Sequence, residues 1–441
     1  MWVPTERSFA IGRDIRGGMQ EQAKRWTALG NAVILLAVLG AGQRPHASQW
    51  LTGISSSSVG NEEDDDTCSG SLLSAVQAAA PATEVPTGGD IGPIRMVQDP
   101  YPSLHSIALD VATNQVVISD SNRGNLLFYP RTSGSLSPSV VVPERQIRGP
   151  ATGMMFIAGV ALDSAHNEVF TVDNDIGDRM LVFSYGVEGN VKPKRVLFVP
   201  HGSWGASLDA ARDEIAISVE HINTVVVYRR EASGAEAPLR VIHGNNTGLA
   251  DPHGLAIDTR DHQILVGNHG NWAPLTRLEA MQGALRGGQF QLPSVAAFDE
   301  TASGDVKPLR TLQGEHTQLN WPMGLSLDPV HNEFAVANYG SNSILIFRRT
   351  DQGDVAPVRV IEGNRTGILG PMGVAIDPQN DELWVTNYRD HSAVVFARTA
   401  EGNVAPKRIL RNAPLDTPAV GFGNPGAVAY DSKRKEILVP N

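Results

Sequence analysis

The chain has 441 residues, 41% hydrophobic and 19% charged, the balance of a globular protein with a sizeable core. A formal net charge of -11 weighs against a nucleic-acid partner, because such binding draws on Lys and Arg neutralising phosphates. One cysteine, Cys68, excludes an intramolecular disulfide, and 44 Gly with 28 Pro suit a turn-dense all-β chain.

In chain order, Lys24 and Arg25 precede an apolar run from Ala28 to Gly42, and the small residues of His46-Ala47-Ser48 follow it. Basic, apolar and small in that order predict a signal peptide over residues 1–47, with a retained N-terminal membrane anchor as the alternative. Both place the remaining chain outside the cytoplasm, periplasmic or secreted. Residues 48–92 carry Ser55 to Ser58, the acidic run Glu62 to Asp66 and an Ala/Pro/Thr/Gly stretch. They lack apolar periodicity and read as a flexible linker.

From residue 93 to 441 one unit recurs, seen most clearly at 321–363 (WPMGLSLDPVHNEFAVANYGSNSILIFRRTDQGDVAPVRVIEG). It breaks into four short apolar runs bounded by Gly, Pro, Asn or Asp, the pattern of strands joined by tight turns. The aspartate closing the first run recurs as Asp110, Asp163, Asp209, Asp258, Asp328, Asp377 and Asp431. A period near 50 with four strands per unit predicts the blades of a β-propeller. The third run ends in an aromatic residue: Phe128 or Tyr129, Phe183, Tyr228, Phe298, Phe347 and Phe396.

The fourth run carries a Gly…Pro…Arg marker, as in Gly353, Pro357 and Arg359. Its arginines read as charges that protect an outer edge strand from association. Residues 93–97 (PIRMV) match this fourth strand with Arg95 in register. They would complete a last blade begun by residues 427–441, so a seven-bladed ring with an incomplete last blade is favoured. A six-bladed ring with a terminal appendage is the alternative.

The units GLSLDPVHNEFAVANYGSNSILIF and GVAIDPQNDELWVTNYRDHSAVVF resemble the NHL-type and YVTN-type repeats of extracytoplasmic bacterial β-propellers. The resemblance implies the fold. It implies a range of functions: binding and scaffold proteins, sensor ectodomains, lactonases with a metal in the channel, and peptidyl-hydroxyglycine lyases that bind zinc through histidines. In such propellers the loops leading into the first strand and out of the second share the face where ligands bind. Here that face would hold His105, Asp120, Asp173, Glu220, His253, Asn268, His269, Asn338 and Asn387.

His105 and His253 occupy the same repeat position three blades apart, with His269 near His253, so these three imidazoles are the candidate metal ligands for zinc. Asp120, Asp173, Glu220 and Asn268 supply ligand types for calcium. Asn and Asp at strand ends also commonly cap their own turns. No third histidine matches the lyase pattern, and no serine elbow, phosphate loop or dinucleotide fingerprint is present.

About 20 extra residues interrupt the fourth unit at 269–293. LTRLEAMQGAL has helix-forming composition there, and Trp272, Arg277, Arg286 and Phe290 are candidate contacts for a ligand at the channel mouth. The reading favoured is a small-molecule- or protein-binding scaffold propeller. The alternative is a metal-dependent lactonase-like hydrolase or lyase.

Overall fold

The structure, a computed structural model, describes residues 99–137, 139–174, 176–274, 288–417, 419, 429–434 and 436–438. The expected signal or anchor, the linker, Cys68 and the PIRMV strand lie outside the described residues, as does the helix expected within 275–287. Among the described residues no helix is long and apolar enough to cross a membrane.

Six four-stranded antiparallel sheets follow one another along the chain. Their innermost strands are Leu104–Asp110, Ile157–Asp163, Ser203–Asp209, Pro252–Asp258, Pro322–Asp328 and Pro371–Asp377, each seven residues long. These define blades 1 to 6. Each innermost strand neighbours that of the next blade, and the sixth neighbours the first, so the ring closes on six blades.

The favoured count of seven is thereby corrected. Of the seventh unit, Ala429–Asp431 pairs with Glu436–Leu438 as a separate two-stranded ribbon, and blade 1 already carries its own four strands. The Asp column counted Asp431 as a ring member, although no place in the ring remains for it.

The seam between blades 6 and 1 is sealed at three depths. Innermost, the Thr386 hydroxyl bonds the His105 carbonyl. Midway, Arg131 pairs with Glu382 at 2.8 Å and lies 3.8 Å from Asp377. Outermost, Ser135 bridges Ile409 and Val141 N donates to Arg411 O at 2.7 Å.

The marker arginines form latches between blades, which corrects their reading as bare edge charges. Arg195, Arg240, Arg359 and Arg408 each grip the glutamate that opens the second strand of their own blade (Glu168, Glu214, Glu333 and Glu382) through two hydrogen bonds of 2.6–2.9 Å. The same side chains donate to a backbone carbonyl of the following blade, as Arg408 does to Arg131 O at 3.0 Å. Bidentate charge-assisted pairs of this kind are among the stronger hydrogen bonds.

The aromatic residues of the third strands, Phe128, Phe183, Tyr228, Phe298, Phe347 and Phe396, are all buried between neighbouring sheets. Each such side chain contributes roughly 1.5–3 kcal/mol of burial. A sheet that is apolar on both faces needs a neighbour on each side, and ring closure supplies both.

The third residue of the inner strand is glycine in five of the six blades, and the crowding of the inner strands explains it. A Cβ on Gly254 would stand 1.8 Å from Met323 O, and one on Gly205 would stand 2.6 Å from His253 O. Backbone therefore touches backbone around the channel. Ser218 adds a relay, accepting from Gly205 N at 2.9 Å while its hydroxyl donates to His253 O.

Candidate functional site

Three positions recur around one mouth of the channel, because the seven-residue inner strands align without gaps. The residue before each strand is Ser103, Phe156, Gly202, Asp251, Trp321 or Gly370. The second residue of each strand is His105, Ala158, Trp204, His253, Met323 or Met372. The residue just after each second strand is Ser121, Asn174, Glu220, His269, Tyr339 or Tyr388. The mouth's chemistry is concentrated on blades 3 to 5.

There His253 and His269 stack with ring centroids 3.5 Å apart and planes 13° apart. His253 Nε2 meets Glu220 Oε2 at 2.9 Å, and its Nδ1 lies 3.0 Å from Asp251 O. His269 Nδ1 lies 3.4 Å from Asp251 Oδ2. Glu220 also accepts from Asn174 Nδ2 at 3.1 Å and meets His221 Nε2 at 3.2 Å.

Both imidazoles are buried, yet their pKa values shift in opposite directions. Against burial, the Glu220 hydrogen bond and the Asp251 carboxylate raise the pKa of His253. Burial, reinforced by the neighbouring His253, lowers that of His269 to about 4. Burial works against Glu220 as an anion, but the hydrogen bonds from His221 and His253 hold its pKa well below the usual carboxylate range.

An aromatic belt continues from this pair in both directions. Trp204 packs edge-on to His253 at 4.5 Å, and His105 lies 5.1 Å from Trp204. On the other side Trp321 stacks on His269 at 5.5 Å and 14°, and Tyr339 on Trp321 at 6.2 Å and 11°. The Arg389 guanidinium covers the Tyr339 ring at 4.7 Å, with Nε donating to the phenol oxygen at 3.0 Å.

Trp321 is 46% exposed and holds a left-handed backbone, φ 53°. Its counterparts in blades 3 and 6 are Gly202 (φ 77°) and Gly370 (φ 61°), which adopt that conformation without steric cost. For a bulky L-residue the same backbone costs on the order of 1 kcal/mol. The exposed indole is thus held at the mouth on a left-handed backbone, which Asp251 shares at the same position in blade 4 (φ 57°).

The sequence-predicted site residues separate into two groups. Asp120, Asn268, Asn338 and Asn387 cap the loop leading into their own blade's inner strand. Asn338 Oδ1 accepts from Asn320 N at 2.7 Å while its amide donates to Gln318 O at 3.0 Å, and Asn387 repeats this with Leu369 N and Gly367 O. Asp120 Oδ1 accepts from Ser103 N at 3.0 Å, and Asn268 Oδ1 from Ala250 N at 3.2 Å. Asp173 occupies the same column and accepts a backbone hydrogen bond from Met155 ahead of its own blade's inner strand, but it is buried, and desolvation raises its pKa to about 7.

Glu220 stands one residue beyond that column, where Val219 takes the capping position, and so reaches the mouth instead. His253 and His269 come together. His105 does not join their nitrogens and contacts the belt through Trp204. It is buried with a backbone hydrogen-bond partner in Ala158, and burial lowers its pKa to about 4.

The ligand atoms that do converge, all within 4.8 Å, belong to Asp251, His253 and His269. Asp251 and Trp321 were missed in the sequence. Aligning the inner strands would have placed both in the column of Gly202 and Gly370. Of the insertion, Asn271–Pro274 pairs with Gly288–Gln291 as a hairpin. Arg277 and Arg286 lie outside the described residues, and for Trp272 and Phe290 the backbone pairing is what is described.

These features define an all-β, six-bladed propeller with an aromatic and imidazole channel mouth. No protein family and no curated protein matches the sequence. Among solved structures, the chain is similar to a functionally unknown protein from Desulfotomaculum acetoxidans, at 13% identity over 68% of this chain and 83% of that one, with TM-score 0.45. It is also similar to Kuenenia stuttgartiensis hydrazine synthase, at 12% identity over 78% and 97%, TM-score 0.46. A third similarity is to the Swd1 β-propeller domain of Myceliophteria thermophila, at 10% identity over 71% and 88%, TM-score 0.44. At such identities the likeness concerns the fold alone.

Proposed function

We propose that this protein is an extracytoplasmic binding propeller of the NHL/YVTN repeat kind, which captures a ring-bearing small-molecule or peptide ligand at the channel mouth. The observation that carries this reading is Trp321, an exposed indole held in a strained backbone between His269 and Tyr339. Flat aromatic faces bind other flat faces and C–H-rich sugar faces, and a guanidinium alongside favours a ligand that also carries negative charge. Arg389 stands in that place. The extracytoplasmic setting, by export or an N-terminal anchor, rests on the basic and apolar order of Lys24, Arg25 and the run Ala28 to Gly42.

A second reading, a zinc-dependent hydrolase or lyase, draws on the convergence of Asp251, His253 and His269. Their stacking weighs against it. Imidazole lone pairs lie in the ring plane, and two near-parallel planes 3.5 Å apart aim them side by side, away from a common point. A calcium site draws on Asp120, Asp173 and Asn268, but Asp120 and Asn268 already serve as caps.

The test is a thermal-shift screen of the full chain against aromatic, nucleoside and sugar ligands with and without anionic groups. The reading requires a ligand whose stabilisation disappears in Trp321→Ala while the unliganded melting curve stays close to wild type. Ligands that stabilise Trp321→Ala equally would refute the mouth as the site.

A further inference from the structure

Arg389 is exposed, yet its side chain is fixed along its length. The stem crosses Gly370, where a Cβ would stand 2.8 Å from Arg389 Cγ and 3.2 Å from Tyr339 Cε2. The guanidinium lies over the Tyr339 ring at 4.7 Å, and its Nε donates to the phenol oxygen at 3.0 Å. A side chain of blade 6 is thus clamped onto a ring of blade 5, through a gap that a glycine leaves open. An exposed arginine ordinarily samples several rotamers, so this one has already given up entropy that binding would otherwise cost.

The clamp leaves part of the fork unspent. Arg195, by contrast, commits Nη1 and Nη2 to the Glu168 carboxylate and the Arg230 carbonyl. Nη1 and Nη2 of Arg389 have no such partner among the described residues. Two parallel N–H groups on a planar fork match a carboxylate or a phosphate bidentately. Steps of 6.2 Å from Trp321 to Tyr339 and 4.7 Å from Tyr339 to the guanidinium separate the exposed indole from this fork, a span that one small molecule covers. At the other end of the belt the Asp251 carboxylate lies 3.4 Å from His269 Nδ1. An acidic and a basic end turn an anionic ligand one way round.

We propose that Arg389 sets the specificity of the mouth: the ligand stacks a flat ring on Trp321 and places an oxyanion, carboxylate or phosphate, against Nη1 and Nη2 of Arg389. This rests on the capture of a ring-bearing ligand at the mouth and names the group that such a ligand must carry. Joining blades 5 and 6 is accomplished by the contact with Tyr339 alone and makes no use of the outer fork.

The test is calorimetric titration of the full chain with two pairs of probes, adenosine against adenosine monophosphate and tryptophol against indoleacetate. In the wild type the anionic member of one pair or both should bind tighter than its neutral partner by roughly tenfold or more, and the pair that responds tells phosphate from carboxylate. In Arg389→Ala that advantage should vanish while the neutral member binds as before and the unliganded melting curve stays close to wild type. Arg389→Lys supplies a point charge without the fork and should restore only part of it. Trp321→Ala should weaken both members of the responding pair. A neutral member that binds through Trp321 and gains nothing from its anion would overturn the inference while leaving the mouth as a binding site. An anion advantage that survives in folded Arg389→Ala would overturn it too, as would failure of all four probes to bind the wild-type chain.

Discussion

His253 and His269 lie face to face, 3.5 Å between ring centroids, with Glu220 against the first and the Asp251 carboxylate 3.4 Å from the second. Two imidazolium ions face to face would repel, and the environment favours the charged form at His253 and the neutral form at His269. His253 has a raised pKa, so the stability it contributes is complete below the ordinary imidazole value and is lost as pH rises through the folded value. His269 has a lowered one, so its contribution is lost as pH falls from about 6.5 toward 4. Ring-proton NMR should therefore show one imidazole titrating above the ordinary range and one neutral down to about 4. Glu220→Gln should lower the first by roughly one unit or more. Resonances assigned to His253 and His269 by substitution that both titrate near 6.5 would contradict the stack.

Asp173 provides a second test through pH. It occupies the column filled by Asn268, Asn338 and Asn387 in blades 4 to 6, where an amide both donates and accepts. Burial holds its pKa near 7 against an ordinary 3.8, so the fold loses stability as pH rises from about 4 to 7 and levels off above that. Asp173→Asn removes the charge and should raise stability at pH 8 by roughly 1–2 kcal/mol, with little gain at pH 4. Equal unfolding midpoints for variant and wild type at pH 8 would refute this.

Inner-strand crowding makes a sharper prediction. Gly254→Ala places a Cβ where Met323 O already stands, so the inner strands of blades 4 and 5 must separate, at a cost of about 3 kcal/mol or more. Gly186→Ala meets nothing within 4 Å and should change stability by less than about 0.5 kcal/mol. Chemical denaturation of the two variants checks the contrast.

The seam invites the corresponding experiment on ring closure. Glu382 is buried and holds Arg131, Lys407 and Arg408 at 2.7–3.0 Å. Glu382→Gln leaves those cations without their anion and should cost about 3 kcal/mol, with amide exchange speeding up first in the inner strands of blades 1 and 6. A uniform change in exchange around the ring would show that the seam is no weaker than the other joints.

Much of this was legible in the residues. The Asp column, the third-strand aromatics and the Gly…Pro…Arg marker are imposed by backbone turns and sheet burial that every blade repeats, so they specify the blade. Closure is a property of the ring. Thr386 reaching His105 O, or Arg408 reaching Arg131 O, joins residues more than 270 positions apart, and nothing in one repeat announces it.

The site was half legible. His253 and His269 were found because imidazoles at strand ends stand out by type. Glu220 was assigned to the wrong column because blade 3 carries Val219 where the others carry Asp or Asn. Trp321 went unnoticed because its significance lies in a left-handed backbone that only the folded chain reveals.

That backbone allows the most direct measurement, which needs no ligand. If Trp321 is kept for contact at the mouth, replacing it by the residue that blades 3 and 6 use there should relieve its strain. Trp321→Gly should unfold in denaturant at a free energy equal to wild type within about 1 kcal/mol, or higher. A loss of about 2 kcal/mol or more would show that the indole serves the fold, and would contradict the binding mouth.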